Sequence, residues 1–210
     1  MFVDYMFAKG TDLPPMVDGK LYEYVVGANG IFVRAQRPGL AAMIPIAGTA
    51  SPVRGLAEMK PYVKCERVPM GLMGRIFEKA YRAGGREILF YLGQTDMKWR
   101  CLVPEQVQSA VGVRPVDAFV GGMNTVIEMH SHHSMRAFFS STDNAEEKAG
   151  FRVYAVIGDL ARQPTILSRI GIFGHFWEIP STWVFDLPEG VNDALDVDAE
   201  IVEDAEYEYA

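Results

Sequence analysis

The 210-residue sequence predicts an α/β fold, or the related α+β packing, built around a mixed β-sheet. Strand-like runs alternate with segments of helical periodicity along the chain. Hydrophobic residues make up 49% of the sequence and charged residues 22%, which is typical of a globular protein,. This composition excludes a disordered chain, a collagen-like repeat and a disulfide-rich miniprotein. The length suits one domain with a modest extension.

Residues 1–66 are predicted to form a β-rich N-terminal extension. It contains the strand-like runs Leu21–Gly27, Ile31–Ala35 and Leu40–Ile46, and a fourth run, Tyr62–Val68, spans its end,. Asn29 and Gly30 join the first two runs into a hairpin, because this dipeptide readily adopts positive φ,. Pro45 has no backbone N–H, so the third run is predicted to be an edge strand at best,.

Residues 67–188 are predicted to form the main domain. A helix follows Pro69 and ends at Gly84 and Gly85, which are typical of a helix C-cap,. Its predicted apolar face holds Met73, Ile76, Phe77, Ala80 and Tyr81,. The later predicted strands are Ile88–Leu92, Met97–Val103, Thr125–Met129, Phe151–Ile157, Thr165–Phe173 and His175–Ile179,. Residues 104–123 are predicted to be a loop with a short strand, and Asp143 is predicted to be the N-cap of a short helix over Asn144–Ala149,.

Residues 189–210 form an acidic C-terminal tail with nine carboxylates and no Lys or Arg. The whole chain has a net charge of −7, so the remainder carries about +2. Such a tail predicts a solvated, flexible segment rather than a folded one. Its charge repels phosphates, so no nucleic-acid partner is expected at this end.

The chain is expected to be a soluble, cytoplasmic protein. Two cysteines, Cys65 and Cys101, are too few for a disulfide framework or a four-thiolate zinc site,. No targeting signal is recognisable at the N-terminus. No apolar run approaches the roughly 18 to 20 residues of a membrane-spanning helix, so no membrane association is expected.

Three of the four histidines lie within the four residues His130, Ser131, His132 and His133. On an extended strand His130 and His132 face the same side, where two imidazoles can bind one metal ion. Asp143 follows at the start of a predicted helix, three residues after Ser140, and can supply a third ligand,. Two imidazoles, one carboxylate and an open fourth position are typical of catalytic zinc. The alternative is a histidine-rich surface loop in which Asp143 serves only as a helix cap.

The order His130-Ser131-His132, then Ser140 and Asp143, resembles the JAMM motif of the JAB/MPN metalloprotease family. By that resemblance, over residues 67–180, His130, His132 and Asp143 bind Zn²⁺ and Ser140 stabilises the oxyanion. The family's general base is a glutamate upstream of the histidines. Glu87, which lies 43 residues before His130, matches its position,. Glu128 is the competing candidate, since strand alternation places it on the same face as the histidines.

The resemblance implies a cytidine deaminase-like fold and a zinc-dependent, deubiquitinase-like peptidase that cleaves a peptide or isopeptide bond. The whole chain also resembles proteins of the PRTRC system, a bacterial gene cassette. The partners so implied are a ubiquitin-like protein and proteins that resemble activating or conjugating enzymes. The alternative is a catalytically silent MPN-type scaffold that binds other components of the cassette.

Overall fold

The computed structural model describes residues 2–96, 98–122 and 124–197 of the chain. The described part consists of two β-sheets, a short β-hairpin and three helices. This mixed α/β architecture agrees with the predicted fold class. Most of the predicted acidic tail, from residue 198 onwards, lies outside the described residues.

The first sheet lies in the N-terminal part of the chain. Its strands are β1 (Val3–Phe7), β2 (Tyr22–Gly27), β3 (Gly30–Arg37), β4 (Leu40–Gly48) and β5 (Tyr62–Lys64), arranged in chain order. Strand β1 pairs parallel to β2, and the other neighbours are antiparallel. Strand β1 was not predicted from the sequence, and the fourth predicted run shortens to β5. Val68 makes only an isolated bridge to Phe185.

Pro45 did not confine β4 to an edge of this sheet, so that prediction was wrong. Strand β4 lies between β3 and β5, but β5 covers only Ala41 to Met43. Pro45 lies beyond that pairing and opposite Phe32 of β3, next to a register shift at which Ile46 of β4 has no partner residue. A proline is tolerated there because no partner strand needs its missing N–H.

The second sheet carries the histidines. Its strands are β6 (Leu89–Thr95), β7 (Lys98–Leu102), β10 (Thr125–Ser131), β11 (Phe151–Gly158), β12 (Thr165–Ile172), β13 (His175–Ile179) and β14 (Asn192–Asp193). Their order is β13-β12-β11-β10-β6-β7, with β14 paired to β12. The central pair β10 and β11 is parallel, and β6 is antiparallel to β10, so the sheet is mixed as predicted. Between β7 and β10 the chain forms a hairpin of β8 (Gln106–Gln108) and β9 (Val113–Pro115).

Helices lie on both faces of the second sheet. The described helices are α1 (Met70–Tyr81), α2 (Ser141–Glu147) and α3 (Ala194–Val197). Helix α1 buries Met73, Ile76, Phe77 and Ala80 as predicted. Tyr81 was wrongly placed on that face: it is exposed and stacks on His133, with ring centroids 6.5 Å apart. No helix in the described part of the chain is long and apolar enough to cross a membrane.

One hydrophobic core joins the two sheets. It contains Val33 and Ile44 from the first sheet, Phe77 from α1, and Phe90 and Ile170 from the second sheet, among other buried residues. Because side chains alternate along each strand, every second residue of the second sheet points away from this core. The face formed by these residues carries His130 and contacts α2.

Candidate metal centre

His130 and His132 converge at the end of β10. His130 is the penultimate residue of the strand, and the backbone N–H of His132 continues the pairing by donating to the carbonyl of Ile157 at 2.7 Å. Because residues two apart face the same side, the two rings point to one place. Their Nε2 atoms lie 3.1 Å apart, and both residues are buried.

The histidine environments favour neutral rings with available lone pairs. Burial lowers the pKa of His130 to about 4, although the charge of Asp143 opposes this change,. Burial also lowers the pKa of His132. The Nδ1 atom of His132 lies 3.3 Å from the carbonyl oxygen of Arg136, to which it donates when protonated. This contact leaves Nε2 as the unprotonated nitrogen, the form that binds metal ions.

Glu87 lies two residues before the start of β6 and is buried beside the histidines. Its Oε1 atom is 4.0 Å from Nε2 of His132. Its backbone is fixed by two contacts: its N–H donates to the carbonyl of Ser109, and its carbonyl accepts from the side-chain amide of Gln108. Burial, reinforced by the charge of Asp143, raises the pKa of Glu87 to about 7,.

Asp143 approaches the histidines from the first turn of α2. Its Oδ1 atom lies 3.6 Å from Nε2 of His130. Its Oδ2 atom accepts from the backbone N–H of Ser140 at 2.6 Å, and the Ser140 hydroxyl accepts from the N–H of Asp143 at 3.2 Å. These reciprocal bonds form a capping box, in which Ser140 is the N-cap,. The prediction that Asp143 is the N-cap was therefore wrong, and the helix begins three residues earlier than predicted.

Glu87, His130 and His132 could together hold a metal ion, since their ligand atoms all lie within 4.8 Å of one another. Asp143 joins them through its contact with His130. The structure thus brings together all the site residues predicted from the sequence. It places His133 elsewhere, against Tyr81.

Glu128 is engaged differently from Glu87. Its carboxylate pairs with the guanidinium of Arg152, which also donates to the carbonyl of Gly121. Burial raises the pKa of Glu128, and the charge of Arg152 opposes that change. Glu128 lies on the wall of the same cleft, but its carboxylate is committed to an ion pair.

The site opens into a cleft of about 550 Å³. One wall is the β8–β9 hairpin, whose Val107 and Val111 are largely exposed. The hairpin is attached at the start of β6, where Gln106 accepts from the N–H of Leu89 at 2.7 Å.

Two features of the site were missed in the sequence analysis. The β8–β9 hairpin replaces the predicted loop with a short strand, although Gln-Val-Gln and Val-Arg-Pro flank Gly112 as they would flank a turn,. No role was predicted for Arg169, although it is a charged residue within the apolar strand Thr165–Ile172. A charge in such a run indicates a buried partner.

Comparison with known protein families agrees with this geometry. The model of prokaryotic homologs of the JAB domain matches residues 72–170. The match extends from α1 to β12 and includes Glu87, His130, His132, Ser140 and Asp143. No curated protein matches the chain.

Proposed function

Residues 72–170 of this chain belong to the prokaryotic JAB domain family, and from this we propose that the protein is a zinc-dependent peptidase. Its reaction is the hydrolysis of a peptide or isopeptide bond. The observation that carries the proposal is the convergence of two neutral imidazoles, the Asp143 carboxylate and the buried Glu87 on one cleft.

Two donor separations are compatible with a shared zinc ion. Zn–N bonds of about 2.0 to 2.1 Å in a tetrahedral site place two nitrogens roughly 3.3 Å apart. The observed separations are 3.1 Å between the two Nε2 atoms and 3.6 Å between Nε2 of His130 and Oδ1 of Asp143. We assign His130, His132 and Asp143 as ligands, because this choice leaves Glu87 available as the base.

A bound zinc ion supplies Lewis acidity, which makes water a better nucleophile near neutral pH and polarises the scissile carbonyl. In this proposal Glu87 accepts the proton of the attacking water, and its raised pKa suits the later transfer of that proton to the leaving amine,. Ser140 accepts from Asp143, so its hydroxyl proton can be donated to the oxyanion of the substrate,.

We extend the proposal to the predicted partners. The support is the resemblance of the whole sequence to PRTRC proteins. On this basis the substrate is a ubiquitin-like protein, handled together with proteins that resemble activating or conjugating enzymes. A cytidine deaminase-like fold and a cytoplasmic location belong to the same proposal.

The proposed function is tested by measuring the metal content and by replacing the proposed general base. Purified wild-type protein is expected to hold about one zinc per chain by elemental analysis. The substrate for activity is the cassette's ubiquitin-like protein carrying a fluorogenic amine at its C-terminus. Glu87→Gln is expected to retain zinc and to lose about 10²- to 10⁴-fold in kcat.

Glu128→Gln is the matched control, because it neutralises a second, partly buried carboxylate on the same cleft. It is expected to keep zinc and to lose less activity than Glu87→Gln does. Loss of zinc in Glu87→Gln would assign Glu87 as a ligand instead of a base. A wild-type protein that takes up no zinc would contradict the proposal, and zinc without hydrolysis would favour the scaffold alternative.

A further inference from the structure

Arg169 is a buried cation in the middle of β12, with 5% of the residue exposed. Its Nε and Nη2 atoms donate to one carboxylate oxygen of Glu147 at 3.0 and 2.6 Å. Its Nη1 atom donates to the side-chain oxygen of Asn144 at 2.6 Å. Both acceptors belong to α2, so one guanidinium bonds two turns of that helix.

The same guanidinium lies between two aromatic rings. Its central carbon is 3.8 Å from the ring centroid of Phe139 and 4.1 Å from that of Phe176. Contacts of a guanidinium with ring faces are favourable and become stronger when water is excluded. Arg169 is therefore held in a single orientation by four different side chains.

The residues that Arg169 contacts flank Asp143 along the chain. Phe139 directly precedes the N-cap Ser140, and Asn144 directly follows Asp143. Helix α2 has seven residues, too few to be stable in water without tertiary contacts,. The position of the capping box over the sheet thus depends on the contacts that Arg169 makes on either side of it.

A row of paired residues across the sheet connects Arg169 with the strand that carries the histidines. Arg169 on β12 pairs with Tyr154 on β11, which pairs with Glu128 on β10. His130 lies two residues after Glu128 and therefore on the same face. Tyr154 adds a second bond to α2 by donating its hydroxyl proton to the carbonyl of Glu147 at 3.1 Å. Helix α2 is therefore bonded to β11 and β12, which belong to the same sheet as the histidine strand β10.

We propose that Arg169 is a positioning residue, which holds α2 at the distance from β10 that lets Asp143 share a metal ion with His130 and His132. This inference rests on the proposed zinc site. It assigns Arg169 no contact with substrate or metal. Its effect is transmitted through Phe139, Asn144 and Glu147.

The test measures Zn²⁺ affinity by competition with a chromophoric chelator, without any activity assay. Arg169→Met is expected to weaken Zn²⁺ binding about 10- to 100-fold, as loss of a residue that supports a metal ligand typically does. Arg34→Met is the matched control. Arg34 is also 5% exposed and makes a buried ion pair, with Glu23 at 2.6 Å, but in the first sheet. It is expected to lower stability and leave Zn²⁺ affinity within about twofold of wild type.

A double-mutant cycle distinguishes positioning of Asp143 from a general loss of structure. In an Asp143→Ala background, Arg169→Met is expected to weaken Zn²⁺ binding no further, because the ligand that it positions is absent. Asn144→Ala removes one bond of Arg169 at an exposed residue, so it should fold even if Arg169→Met does not. It is expected to weaken binding several-fold.

Equal Zn²⁺ affinity in wild type, Arg169→Met and Asn144→Ala would overturn the inference. An equal loss in the presence and absence of Asp143 would also overturn it. If wild-type protein binds no Zn²⁺, the proposed function itself fails, and this outcome is distinct from the other two.

Discussion

The carboxyl group of Glu87 is almost enclosed by protein, with 4% of the residue exposed. Burial and the nearby Asp143 raise its pKa from 4.5 to about 7. Burial imposes a desolvation penalty that a carboxylate in water does not have. The charged form of Glu87 is therefore less stable in the folded protein than in the unfolded chain. The side chain that suits proton transfer therefore lowers stability near neutral pH.

Replacing this carboxyl group is expected to change how stability depends on pH. The favourable contribution of Glu87 is fully present below pH 4.5 and is lost as the pH rises through about 7,. Relative to wild type, metal-free Glu87→Gln is expected to gain on the order of 2 to 3 kcal/mol in free energy of unfolding between pH 4.5 and pH 8. Urea unfolding at a series of pH values in the presence of a chelator measures this difference.

Glu78→Gln is the control for that series. Glu78 is an exposed glutamate whose partner is Arg82, one turn further along α1. Its difference from wild type is expected to stay within about 0.5 kcal/mol at every pH. A pH-independent difference for Glu87→Gln would show that Glu87 titrates normally in the folded protein.

At the level of secondary structure, α2 is the element on which the site depends. A cap and the contacts of Arg169 with the buried Glu147 and with Asn144 hold a helix of seven residues whose sequence alone would not keep it folded,. Ser140 and Asp143 satisfy each other's backbone N–H groups. Asp143 can be both a cap and a metal ligand because its two oxygens point in different directions.

Removing the cap is expected to destabilise this helix. Ser140→Ala should lower the free energy of unfolding by about 1 kcal/mol, because the N–H of Asp143 loses its acceptor,. The measurement is urea unfolding of the metal-free protein, so that zinc does not contribute. Thr142→Ala, at an exposed residue of the same turn, should change stability by less than about 0.5 kcal/mol,. Equal effects of the two substitutions would argue against the capping box.

At the level of the whole molecule, the two sheets are expected to unfold together because they share one core. Ile44 is fully buried in β4, and Ile44→Ala should lower stability by about 2 to 5 kcal/mol,. All three tryptophans, Trp99, Trp177 and Trp183, lie outside the first sheet. If the two sheets unfold together, the fluorescence of these tryptophans should report the loss of stability caused by Ile44→Ala in the first sheet.

Ile46→Ala is the control, since Ile46 is on the same strand but 37% exposed. Its tryptophan transition should shift by less than half as much as that of Ile44→Ala. An unchanged tryptophan transition in Ile44→Ala would indicate that the first sheet unfolds independently, as a separate extension over residues 1–66 would.

The sequence by itself determined the features that depend on local order. The period of apolar residues located α1 and most strands, and the spacing of His130, His132, Ser140 and Asp143 identified the family and the candidate ligands,. These signals are readable because strand alternation and helical period are properties of neighbouring residues.

Only the tertiary structure decided which distant groups meet. The position of Glu87 in the sequence favoured it over Glu128 as the candidate base, and only the tertiary structure shows that Arg152, on β11, engages the carboxylate of Glu128. Three other features likewise depend on partners that the local sequence does not specify. They are the parallel pairing of β1, the place of Pro45 in β4 and the hydrogen bonds from Arg169 to α2. Pairing between strands and the burial of charges are set by the packing of the whole molecule, and no local pattern specifies them.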